Sequence, residues 1–150
     1  MQKQGLYERI VEQLEERLKP VSDPISRMAT IAAVLHHKMR HFFWTGFYRL
    51  VDREMIVGPY QGFLACPILE RGRGVCWAAV NKGKTIIVAD VNEFPGHIAC
   101  DPRSRSEIVV PCMDRSNVPF AVLDVDSDQM GAFDEADRDG LEQIVTLVLR

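Results

Sequence analysis

The apolar residues of this chain change their spacing twice, and that change limits the folds open to it. Leu6, Ile10, Leu14 and Leu18 recur at helical intervals among charged residues, until Pro20 and Pro24 break the pattern. A second helical series, Met28, Ile31, Ala32, Leu35 and Met39, follows with Asp23 as N-cap and Pro24 at the first helical position. From Phe42 onward the period shortens. Phe42 to Val51 is rich in aromatic residues and Met55 to Tyr60 is short and apolar, with turn-forming residues between them, as antiparallel strands require. Ala65 to Leu69 reads as a further strand, the turn Arg71 to Gly74 leads into a short helix ending near Gly83, and Thr85 to Ala89 is again strand-like. Ile108 to Met113 and Val118 to Val125 form two apolar strands joined by a polar turn. Helical spacing returns from Phe133 to Arg150, where Leu141, Ile144, Val145 and Val148 share one side. This order predicts an α+β domain with an antiparallel sheet packed against helices.

A chain of 150 residues fits a single domain, with helices over 1–41 and the sheet, its loops and the last helix over 42–150. Nothing in it repeats. The net charge of -3 gives no case for nucleic acid, which is bound through clustered Lys and Arg. Met1 to Leu18 lacks the apolar stretch of a signal peptide, and no run approaches the roughly 18 apolar residues of a membrane span. The expectation is a cytoplasmic protein with no membrane partner. Thiols stay reduced in that compartment, so the four cysteines read as chemistry, metal ligands or small buried hydrophobes before they read as permanent disulfides.

Those cysteines, Cys66, Cys76, Cys100 and Cys112, all lie in the middle of the chain. Zinc is the first chemistry to test. The spacing contains no C-x-x-C pair, and His97 with Cys100 is the nearest approach to one, so no metal and no cofactor are expected. Cys100 stands in the long connection Asp90 to Ser106 with His97, Arg103 and Arg105 near it, where cations lower a thiol pKa; a passive loop thiol fits the composition equally well. Cys66, Cys76 and Cys112 lie in apolar surroundings, where cysteine packs more often than it reacts. Asp124 and Asp126 alternate near the end of an apolar strand and so point to one face, either as a solvated strand end or as acids aimed into a site, with Glu107 opening the preceding strand. Trp44 and Tyr48 share a sheet face and read first as core. His36, His37 and His41 fall near the end of the second helix, where a cation suits the helix dipole, and carry no assigned chemistry.

Several strings then occur together in a fixed order: W-T-G-F-Y at Trp44 to Tyr48, G-P-Y-Q-G at Gly58 to Gly62, A-C at Ala65 to Cys66, G-R-G-V-C at Gly72 to Cys76, D-V-N-E-F-P-G-H-I-A-C-D at Asp90 to Asp101, S-E-I-V-V-P at Ser106 to Pro111, and L-D-V-D-S at Leu123 to Ser127. As a set they resemble the free methionine-(R)-sulfoxide reductases, a branch of the GAF fold. The resemblance implies that Cys100 is the catalytic cysteine and that Cys66 and Cys76 resolve or recycle the oxidised enzyme. It likewise implies that Glu107, Asp124 and Asp126 are the active-site carboxylates, and that Trp44 and Tyr48 surround the substrate methyl group. Trp77 stands where the family has a small residue, Ala121 replaces a glycine, and Cys112 replaces an aliphatic residue.

On this resemblance, the expected reaction is thiol-dependent reduction of free methionine-(R)-sulfoxide to methionine. Cys100 attacks the sulfur, Glu107 and Asp126 stabilise the protonated oxygen, and Asp124 engages the substrate ammonium. The sulfenic acid left on Cys100 then condenses with a second thiol, Cys66 ranked first, Cys76 second and Cys112 third. Thioredoxin or a similar dithiol reduces the disulfide. The loop Asp90 to Ser106 is a candidate lid, and relatives with this fold lead to the expectation of a homodimer. The competing reading is a GAF module that binds a small ligand or senses redox state without turnover.

Overall fold

The computed structural model describes residues 2–97 and 100–150. Helix α1 (Lys3–Leu18) buries the stripe Tyr7, Ile10, Val11, Leu14 and Leu18, and α2 (Pro24–Lys38) buries Met28, Ile31, Ala32 and Leu35. Asp23 caps α2 by accepting from the Ser26 amide at 2.7 Å, while Pro24 occupies a position whose missing N–H costs nothing. Six strands follow: β1 (Trp44–Val51), β2 (Glu54–Gln61), β3 (Ile68–Leu69), β4 (Ile86–Val88), β5 (Ser106–Met113) and β6 (Pro119–Ser127). Between β3 and β4 lies α3 (Gly74–Lys82), and α4 (Glu135–Val145) comes after β6.

All strand pairs are antiparallel, in the order β3-β2-β1-β6-β5-β4. Residues alternate between the two faces, so each face builds its own core. On one side Phe47, Ile108, Val110, Cys112, Leu123 and Val125 pack with α1, α2 and α4. On the other, Trp44, Tyr48, Val109 and Val122 pack with Val75, Cys76 and Ala79 of α3. Three helices therefore close one face and leave the second to α3 and the loops. That open face holds the site. No helix among the described residues is long and apolar enough to cross a membrane.

Buried Asp137 of α4 ties this helical face together. It accepts from Tyr7 Oη at 2.6 Å, Lys3 Nζ at 2.7 Å and the Asp134 amide at 3.0 Å, and it meets His41 Nε2 at 3.0 Å. His41 thus lies beyond the end of α2 and serves the α1–α4 contact, while burial lowers the pKa of His36. Two predicted elements also shrink. The strand expected over Ala65 to Leu69 is only Ile68–Leu69, because Pro67 has no N–H to give and the Cys66 carbonyl is taken by Tyr48 Oη. The last helix starts at Glu135 and not Phe133, fixed by a reciprocal capping box between Asp134 and Asp137.

Candidate active site

Strand register assembles the site from distant parts of the sequence. β6 is a central strand, and Asp126 has Trp44 of β1 on one side and Glu107 of β5 on the other. One step along the same face, Asp124 lies between Gly46 and Val109. The three carboxylates therefore stand within the ladder and side by side, which sets aside the alternative of a solvated strand end. Gly46 matters for its lack of a side chain: a Cβ there would come within 2.6 Å of the Trp44 indole and 2.3 Å of Tyr60. Its absence lets the indole lie flat, stacked on Tyr60 at 5.2 Å and Tyr48 at 5.9 Å, with Nε1 donating to the Phe63 carbonyl at 3.0 Å.

A cavity of about 50 Å³ opens over these residues. Trp44, Tyr48, Cys76, Cys100, Glu107, Asp124 and Asp126 all line it. Cys66 is joined to Cys100 by a disulfide with a Cα–Cα distance of 5.8 Å, and its carbonyl accepts from Tyr48 Oη at 2.9 Å. Cys76 and Cys112 are free and buried. Cys112 belongs to the opposite face of the sheet, as its reading as core requires. Trp77, the unusual neighbour of Cys76, packs its indole toward the Leu69 carbonyl and does not line the cavity.

Two contributions were missed in the sequence. The first turn of α3, Gly74 to Cys76, faces the cavity with no side chain capping its amides. Gly74 enters this turn at φ +85°, a backbone that favours glycine. Arg73 beside it also lines the cavity. The G-R-G string was the available signal, since glycine before a helix marks an approach of backbone to an anion. The cationic surround expected for Cys100 is dispersed. Arg103 pairs with Asp101 at 2.7 Å and lies over the Phe43 and Phe63 rings, Arg105 contacts the Met130 sulfur, and burial lowers the His97 pKa.

The three carboxylates are all shifted upward. Burial pushes Glu107 well above the usual range, and the charges of Asp124 and Asp126 push it further. Asp126 is raised by burial and then by Asp124 and Asp101. Burial also raises Asp124, opposed by hydrogen bonds to Glu107 and Cys76. Asp124 Oδ1 has no conventional donor, so a proton on one of those two neighbours is its physical partner. The Cys76 thiol is driven well up by burial and by the adjoining acids.

A raised carboxyl makes stability present below its unfolded pKa and lost as pH climbs toward the folded one, because the unfolded chain releases the proton first. Asp137, held below its ordinary value by His41, Lys3 and Tyr7 against the opposing effect of burial, has the reverse dependence. Glu107→Gln removes the cost at Glu107 and leaves the contribution of Asp137 unchanged. Urea denaturation should find this variant about 0.5 to 2 kcal/mol more stable than wild type at pH 7, with little gain at pH 4. Equal stability at pH 7 would contradict a stored electrostatic cost at Glu107.

With this geometry in view, the chain can be compared with known proteins. It matches the GAF domain family over residues 4–149. GAF domain-containing protein A of Dictyostelium discoideum is 45% identical over 148 residues, covering 97% of this chain and 92% of that protein. The free methionine-R-sulfoxide reductase of Escherichia coli (strain K12) is 40% identical over 121 residues, 81% of this chain and 73% of that protein. The X-ray structure of free methionine-R-sulfoxide reductase from Neisseria meningitidis in complex with its substrate superposes with a TM-score of 0.93 at 39% identity, covering 99% of this chain and 89% of that one. Sheet, helices and family match define a GAF fold. Within that class, the chain belongs to the free methionine-R-sulfoxide reductase family.

Proposed function

We propose that this protein reduces free methionine-(R)-sulfoxide to methionine with its own thiols. The observation that carries the reading is the Cys66–Cys100 disulfide closed over a cavity lined by three carboxylates that their surroundings shift upward. A sulfoxide sulfur becomes electrophilic when its oxygen is protonated, which demands a thiolate on one side and a neutral acid on the other. Cys100 attacks the sulfur, and Glu107 and Asp126 deliver and stabilise the proton on oxygen. The intermediate so formed holds a sulfur–sulfur bond; its hydroxyl then moves to the cysteine sulfur, methionine leaves with the electrons of the broken S–S bond, and Cys100 becomes a sulfenic acid. The Cys66 thiol then attacks that sulfur, water departs, and the disulfide forms; an external dithiol such as thioredoxin restores both thiols. One sulfoxide and one dithiol thus yield methionine, water and a disulfide.

The same walls account for recognition of the free amino acid. Asp124 pairs with the ammonium, and the uncapped amides at the start of α3 receive the carboxylate. A methionine inside a polypeptide offers neither charge. The cavity in its disulfide form has room for only a few waters, so the substrate enters once reduction frees the Cys100 loop.

The decisive experiment supplies free methionine-R-sulfoxide and dithiothreitol and measures methionine. Turnover is expected; tight binding of the amino acid without product would leave a ligand-binding GAF module. Trp44→Ala removes the wall around the methyl group and should raise KM roughly tenfold, about the free energy of burying one apolar contact surface. An unchanged KM and kcat would reduce Trp44 to core packing.

A further inference from the structure

Cys76 is not needed in the proposed disulfide, yet it stands at the bottom of the cavity with its side chain among acids. Its Sγ, a carboxylate oxygen of Glu107 and one of Asp124 all lie within 4.8 Å of one another. The three residues are 4%, 6% and 6% exposed, so these atoms are removed from water and form a fixed cluster on α3, β5 and β6. Asp124 Oδ1 meets no amine, amide or hydroxyl donor, and only a proton on Glu107 or Cys76 serves it. A buried acceptor whose partners are displaceable protons on a thiol and a second carboxyl is the donor set of a metal centre.

We propose that Cys76, Glu107 and Asp124 form a binding site for a thiophilic divalent cation, with Zn2+ as its natural probe. Tetrahedral zinc with one sulfur and two oxygen ligands sets its ligand atoms roughly 3.5 Å apart, so modest side-chain rotations close the cluster around the ion. Sulfur excludes Mg2+ and Ca2+ as good occupants, since both demand a shell of oxygens. The fourth coordination position opens into the cavity. Its volume of about 50 Å³ admits a small ion with a water even while the Cys66–Cys100 disulfide is closed. This binding does not depend on the sulfoxide reading. Where that reading holds, an ion on Glu107 and Asp124 occupies the acids that the substrate requires, and zinc inhibits in competition with it.

The test uses the oxidised protein without added reductant, in which the free thiols are Cys76 and Cys112, on opposite faces of the sheet. Titration with Cd2+ should produce a thiolate-to-cadmium charge-transfer band that saturates at about one equivalent and is displaced by Zn2+. Cys112→Ala should retain the band, whereas Cys76→Ala should abolish it. Cys76→Ser, closer in size and shape to the native residue, should also lose it, with circular dichroism verifying that both variants fold. Asp124→Asn should weaken binding roughly tenfold or more, since a neutral amide replaces an anionic ligand. Absence of a band in wild type, its persistence in Cys76→Ala, or undiminished affinity in Asp124→Asn would overturn the proposal. None of these readouts measures turnover, so failure here leaves the reductase reading standing, and the converse.

Discussion

Cys100→Ser is expected to lower turnover of free methionine-R-sulfoxide roughly a thousandfold or more while leaving the reduced fold intact. The reason is ionisation. A serine hydroxyl stays protonated at neutral pH where a thiol yields a nucleophilic thiolate, and an oxygen–oxygen product has no stable counterpart to the sulfenic acid. Cys100 is exposed on its loop and contributes no core burial, so the substitution opens no cavity. Under reducing conditions, which remove the cross-link from wild type as well, the two proteins should melt within a degree or two of each other. Methionine production within tenfold of wild type would remove Cys100 from the nucleophile role.

The second large effect is expected at recycling. Cys66→Ser should release about one equivalent of methionine and then stall when thioredoxin is the reductant, with Cys100 accumulating as a sulfenic acid that a dimedone-type reagent traps. Position singles out Cys66, and ionisation disfavours its rival Cys76. Its Cα lies 5.8 Å from that of Cys100, inside the range a disulfide spans without backbone movement. Cys76 lines the same cavity, but burial and the charges of Asp124 and Glu107 hold it as a thiol, which attacks slowly. Cys112 lies on the far face of the sheet, separated from Cys100 by the strands themselves. Unimpaired turnover in Cys66→Ser, with a Cys76–Cys100 bridge in the peptide map, would transfer the resolving role to Cys76.

Much of the fold is legible in the sequence because burial imposes a period. Leu6, Ile10, Leu14 and Leu18 can share one side only on a helix, and those residues are the stripe that α1 buries with the exception of Leu6, which packs at its margin. The alternation of Asp124 and Asp126 likewise fixes that both leave β6 on one face. Local signals also determine ends where a side chain meets the backbone, as Asp23 does at α2. The pair Asp134 and Asp137 carries the same information for α4, but Phe133 before it continues the apolar pattern past the cap and masks the boundary.

What only the tertiary structure decided is which residues become neighbours across the sheet and how their protons are held. Trp44, Asp126 and Glu107 lie in one cross-strand row although they come from β1, β6 and β5, a register set by the packing of whole strands and invisible in any one of them. The uncapped amides of α3 reach the same cavity because the helix packs on that face of the sheet. The resemblance in the sequence pointed to Cys100, Cys66 and the three acids as the candidate site, but a carboxylate's pKa depends on water and charge around it. Glu107 is an ordinary acid in the chain and becomes a weaker one only where the folded sheet removes its water and sets two further carboxylates beside it.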